Sequence, residues 1–150
     1  MKWLNLPPVW LAGFMALAWG LAQAWAPLAG GPWEGAALSA GRALIGGGLI
    51  LVIWAVMQFQ RAKTTVIPHL QPSALVDGGP FRYSRNPIYL ADLLILAGWS
   101  LTLGAPHTAL LVVPIFVVLE RLFIQPEEAR LEAALGPAYT AYRARVRRWL

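Results

Sequence analysis

The 150-residue chain has no cysteine, two histidines and only seven acidic residues. The first absence excludes a disulfide framework, a thiolate metal site and a cysteine nucleophile. The histidines, His69 and His107, stand far apart with no ligand spacing, so no metal centre is expected. Charge of either sign is scarce, at 13% of residues, whereas 58% are hydrophobic. Soluble domains carry about 25% charged residues, so this chain cannot clothe an all-round aqueous surface. A phosphate-binding glycine loop is missing as well. Gly46-Gly47-Gly48 has no Lys-Ser/Thr after it and no strand before it, and reads instead as small residues that let helices pack closely.

What the chain does have is a series of apolar runs near 20 residues long, the length that crosses a hydrocarbon core of ~30 Å. Their positions predict an all-α integral membrane bundle of four transmembrane helices, at about 8–26, 35–57, 87–103 and 105–124. Short cytosolic helices should follow over 126–147, the whole forming a single domain over 1–150. Trp3, Trp10 and Trp25 flank the first run, where indole rings favour the interface. Pro114 is expected to kink the fourth. Gly136-Pro137 should divide the last helical stretch, with Tyr139, Tyr142 and Val146 on one side beyond it.

Net charge is +5, which in a soluble protein would point to nucleic acid. Here it follows the positive-inside pattern: Lys2, the 60–86 loop and Arg143, Arg145, Arg147 and Arg148 all fall on one side of a four-span bundle. Both termini are therefore expected in the cytoplasm. Arg42 lies ~10 Å inside the second span and reads as a snorkelling side chain. Asp92, in the third, shares a helix face with Tyr89 and lies too far in depth from Arg42 for direct pairing.

The stretch with the most chemistry runs from Leu75 to Leu90. Gly78 and Gly79 before Pro80 allow a turn where backbone comes close to a ligand. Pro87 biases Asn86 away from helical geometry and is itself suited to open the next helix. The amides of a helix start favour negative charge, and Arg82 and Arg85 stand beside them. Taken alone, the arginines would fit a basic loop against lipid headgroups. Two more polar groups fall at the same membrane face, Glu120/Arg121 and Glu127/Glu128. The paired glutamates alone would fit helix-start acids. Ionisable groups clustered at a membrane are costly to place, and together the three groups point to a functional site.

Gly79-Pro80-Phe81-Arg82-Tyr83-Ser84-Arg85-Asn86-Pro87-Ile88-Tyr89 resembles the Gly-Pro-Tyr-Arg-x-x-Arg-His-Pro-x-Tyr signature of the isoprenylcysteine carboxyl methyltransferase family. Arg121, Glu127-Glu128, Leu131, Leu135-Gly136, Tyr139, Tyr142 and Val146 resemble that family's carboxyl-terminal pattern. The broader group includes membrane phospholipid methyltransferases. The resemblance covers about Leu75 to Leu150. It implies an S-adenosylmethionine-dependent methyltransferase, with Gly79, Pro80, Arg85, Asn86, Pro87, Tyr89, Leu90, Glu127 and Glu128 at the cofactor and Arg121 and Glu127 at the chemical step. Two positions depart from the pattern. Asn86 replaces a histidine, so it hydrogen-bonds but does not titrate, and Glu127 stands six positions after Arg121, with Pro126 between them.

The acceptor implied is lipophilic: a prenylcysteine-type carboxylate, a phospholipid amine or a similar nucleophile reached from the bilayer. Two other classes remain open on the residues alone. One is a nicotinamide-dependent membrane reductase of the sterol-reductase type, which shares a similar carboxyl-terminal arrangement. The other is a non-catalytic membrane module, for which Asp92, Glu120 and the paired glutamates would have no purpose.

Overall fold

A computed structural model describes residues 6–62 and 75–150; Lys2, Trp3, Lys63 and His69 lie outside the described residues. Every regular element described is helical. Helix α1 spans Pro7–Ala24, α2 Glu34–Arg61, α3 Pro87–Thr102, α4 Val112–Leu119, α5 Gln125–Leu135 and α6 Pro137–Arg145. The first three match the expected runs to within a few residues at each end. By length and composition, two helical stretches are long and apolar enough to cross a membrane, Glu34–Arg61 and Pro106–Leu135. Helix α3 is apolar but shorter, at 16 residues or about 24 Å.

The fourth run differs from expectation in two ways. Pro114 does not interrupt α4, because it falls in the first turn, where the missing N–H costs no intrahelical bond. A 3-10 segment, Pro106–Leu111, precedes that turn. At the other end the helix does not stop near Ile124. It continues through a π-helical turn, Glu120–Ile124, in which the Gln125 N–H donates to the Glu120 carbonyl, and then into α5. Pro126 accounts for the wide turn. Its ring crowds the carbonyl four residues back and it has no N–H to offer, and one extra residue in the preceding turn relieves both.

The chain divides into two compact units, Met1–Leu49 with Ala91–Val118, and Ile50–Leu90 with Leu119–Leu150. In the first, α2 and α3 meet backbone to backbone. A Cβ on Gly41 would lie 2.6 Å from the Gly98 carbonyl oxygen, and one on Gly98 equally close to that of Gly41. Of the three consecutive glycines, Gly48 makes such an approach, to Ala91 and Ile95, whereas a Cβ on Gly46 or Gly47 would meet nothing within 4 Å among the described residues. The Trp99 indole donates to the Met15 carbonyl at 3.1 Å and ties α1 to α3. Leu28 N–H donates to Gly104 at 3.0 Å, and Trp25 stacks on His107 with ring centroids 4.6 Å apart. Arg42 is exposed on α2, and Asp92 is buried.

The second unit is built around tyrosines. Tyr139, Tyr142 and Val146 are buried together, with Leu75, Leu131 and Leu135 packed against them. Tyr139 and Tyr142 share one side of α6 through their three-residue spacing, Val146 follows at its C-cap, and Gly136, at φ +51°, separates α6 from α5. The Tyr142 hydroxyl donates to the Phe81 carbonyl at 2.8 Å, which fastens α6 to the 3-10 turn Gly79–Arg82. Burial of both phenols, rather than any one charge, raises their pKa. Tyr139 is pushed up to about 12, with the Glu128 carboxylate as the second cause, and Tyr142 higher still. Both remain hydrogen-bond donors across the physiological range.

Candidate active site

All the residues of the candidate site belong to the second unit. Gly79 opens it at φ +57°, a conformation that glycine adopts without strain. A side chain there would also collide with Gln58 of α2, whose Cδ would lie 2.7 Å from the added Cβ. Phe81 is buried edge-on against Phe59, with centroids 5.3 Å apart. The turn therefore sits directly on the last turns of α2. Beyond it Ser84 is buried, and its Oγ accepts from the Asn86 N–H at 3.1 Å. Asn86 and Pro87 are also buried and lead into α3, whose first turn is closed by Leu90 N–H donating to the Asn86 carbonyl.

Acids and arginines alternate around Glu128. Arg85 Nη2 lies 3.0 Å from Glu128 Oε1, and both side chains are about nine-tenths buried. Arg148 donates from Nε to the same oxygen at 3.2 Å and from Nη2 to Oε2 at 2.7 Å. Its Nη1 donates to Glu120 Oε1 at 2.8 Å, and the Trp149 indole donates to Glu120 Oε2 at 3.3 Å. Hydrogen bonding to Glu128 raises the Arg148 pKa still further above the ordinary guanidinium range. Glu127 lies beside this group, its Oε2 accepting from the Tyr89 hydroxyl at 3.1 Å. Tyr89 is buried near Phe123, with ring centroids 6.4 Å apart.

The structure thus brings together Arg85, Asn86, Tyr89, Glu127 and Glu128 of the residues expected from sequence, with Gly79, Pro80, Pro87 and Leu90 forming the turn and helix start that carry them. It does not bring in Arg121. That side chain is exposed, one residue past Glu120 in the π-helical turn. Glu120 faces the arginines instead. Three further site residues, Gln58, Ser84 and Arg148, carry no motif that marks them. By sequence Arg148 is one of the basic residues that set topology, and nothing in a run of Arg143, Arg145, Arg147 and Arg148 singles out one arginine.

Comparison with known families favours the methyltransferase among the classes left open. The model of the family described as phospholipid methyltransferase matches residues 36–138, more than half of the chain, including the turn, Arg85, Tyr89 and both glutamates. The chain belongs to the phospholipid methyltransferase family. An uncharacterized protein of Haemophilus influenzae is 41% identical over 63 residues, which are 42% of this chain and the whole of that protein. No solved structure matches. As a phospholipid methyltransferase family member the chain is placed among enzymes that methylate lipid-type substrates, and its long apolar helices agree with a membrane setting.

The residues of this phospholipid methyltransferase relative also fit an amino-acid-bearing cofactor. Arg85 is mostly enclosed, and its Nε is buried without a hydrogen-bond partner among the described residues. Enclosed polar groups without a partner are uncommon, and a guanidinium N–H suits a carboxylate. The glutamates next to it offer acceptors for an ammonium group or ribose hydroxyls.

Proposed function

We propose that this protein transfers a methyl group from S-adenosylmethionine to a lipophilic acceptor at the cytosolic face of the membrane. The observation that carries the reading is the Arg85–Glu128 and Tyr89–Glu127 pairing, at 3.0 and 3.1 Å, within the residues matched by the family. The bound cofactor would supply a methyl group already activated on a sulfonium. The protein's own part is then positioning and electrostatics, as in any in-line displacement. Arg85 and the Gly79–Pro80 turn hold the cofactor's carboxylate end, Glu127 and Glu128 its donors, and Asn86, Pro87, Tyr89 and Leu90 the wall between them. Glu127 also faces the chemical step. Arg121, exposed and outside the cluster, serves the acceptor's polar head in this reading.

The test is binding to the detergent-purified full chain. S-adenosylmethionine at 100 times its Kd should stabilise the fold by about 2.7 kcal/mol, and reduced nicotinamide cofactor should not. Stabilisation by the nicotinamide alone would transfer the assignment to a membrane reductase. Turnover is then read as methyl incorporation into lipid extracts, with a phospholipid amine and a prenylcysteine carboxylate as the first acceptors.

The same reading takes α1, α2, α3 and the stretch over about 105–124 as four spans, with α5, α6 and both termini in the cytoplasm. It rests on the basic residues around the site, Arg82, Arg85, Arg143, Arg145, Arg147 and Arg148. A reporter joined after Leu150 should read as cytoplasmic. An external reading would remove the site from the side where the cofactor is made.

A further inference from the structure

The segment Val146–Leu150 follows α6 and has no regular structure, yet its bonds go to the site residues. Val146 anchors it in the tyrosine cluster. The Arg147 carbonyl accepts from the Arg85 N–H at 3.0 Å. The Arg148 carbonyl accepts from Asn86 Nδ2 at 3.0 Å and from Ser84 Oγ at 3.4 Å. Its side chain holds Glu128 and Glu120, and the Trp149 indole adds a second bond to Glu120. One residue therefore joins the turn through its backbone and the two acids through its guanidinium.

Glu128 depends on that fork for its orientation. Arg85 meets only Oε1, and a single contact leaves the terminal torsion of a glutamate broad. Arg148 meets both oxygens from a rigid planar group and so fixes the carboxylate plane. A carboxylate has about four acceptor positions. Two on Oε1 and one on Oε2 are taken by the arginines, which leaves one position on Oε2 for another donor.

We propose that Arg148 is a positioning residue of the methyl-transfer site, which aims Glu128 at a donor group of the cofactor while its carbonyl holds the Ser84–Asn86 turn. The proposal rests on the reading of Glu128 as a cofactor ligand. It goes beyond that reading by making a residue outside the matched family region part of the cofactor site.

The experiment is a double-mutant cycle read by calorimetry with S-adenosylmethionine on the full chain, alongside thermal unfolding. Arg148→Gln and Glu128→Gln should each weaken cofactor binding by about tenfold or more. Because both act on one carboxylate, the double variant should be no weaker than the worse single variant within about threefold. Arg148→Lys, which keeps the charge and loses the fork, should fall between wild type and Arg148→Gln. It takes the place of Arg148→Gln in the cycle if that variant does not fold. Two results overturn the proposal alone: cofactor affinity within twofold of wild type in Arg148→Gln despite a lower Tm, or losses that multiply in the double variant. Wild-type protein that binds no S-adenosylmethionine overturns the cofactor reading and this proposal with it.

Discussion

Glu128→Ala is expected to destabilise the chain by about 3–5 kcal/mol, the range for removing one partner of a buried ion pair. The carboxylate is the common acceptor of Arg85 and Arg148. Arg85 is the more exposed to the consequence, because its side chain is about nine-tenths enclosed and cannot turn to water for a substitute. Without Glu128 its side chain would keep, among the described residues, only a 3.5 Å contact from Nη1 to the Arg143 carbonyl. The comparison that isolates burial is Glu132→Ala. Glu132 meets Arg143 at 2.8 Å, shorter than the Arg85 contact, but with both side chains about half exposed. Pairs of that kind are worth about 0–1 kcal/mol. Unfolding of the two variants in the same detergent should separate them by several-fold. Equal losses would mean that the geometry around Glu128 stabilises nothing that a surface pair does not.

The helices and the site were legible in the sequence to different depths. Apolar runs marked α1, α2 and α3 closely, because a helix satisfies its backbone polar groups within itself and so suits a long apolar stretch. The turn before Asn86-Pro87 was legible for a local reason, since proline restricts its neighbour and opens a helix. The Tyr139, Tyr142 and Val146 face followed from helical spacing. The π-helical turn was not legible, and it changes which side chain faces the arginines. Read as regular helix, the Glu120–Ile124 stretch gave no reason to prefer Glu120 over Arg121. Widening the turn before Pro126 changes the register between this stretch and α5 by one residue, and Glu120 takes the inward place. Arg148 was hidden for another reason. Its role depends on contacts to residues 20 and 28 positions away, which no local pattern encodes. Gln58 likewise became visible only as the side chain lying against Gly79.

The second large effect is expected in the other unit, where α2 and α3 touch through glycine. Gly98→Val should cost at the top of the ~1–3 kcal/mol range for overpacking, or beyond it. The reason lies in what the new side chain would meet. Its Cβ would stand 2.6 Å from the Gly41 carbonyl oxygen and 3.0 Å from the Ile45 backbone nitrogen. Backbone atoms in the middle of a helix cannot move aside as a flexible side chain can, so the two helices must separate. Helices in lipid gain their association from close van der Waals packing rather than from exclusion of water, so separation removes the main attraction. Gly47→Ala, in α2, supplies the opposite case. Among the described residues nothing lies within 4 Å of a Cβ at that position, and exchanging glycine for alanine gains up to about 1 kcal/mol of helix propensity. Thermal unfolding in detergent should therefore move in opposite directions for the two variants. If Gly98→Val unfolds at the wild-type temperature, α2 and α3 do not meet at Gly41 and Gly98. If Gly47→Ala is as damaging as Gly98→Val, the glycines act through backbone flexibility rather than through close approach.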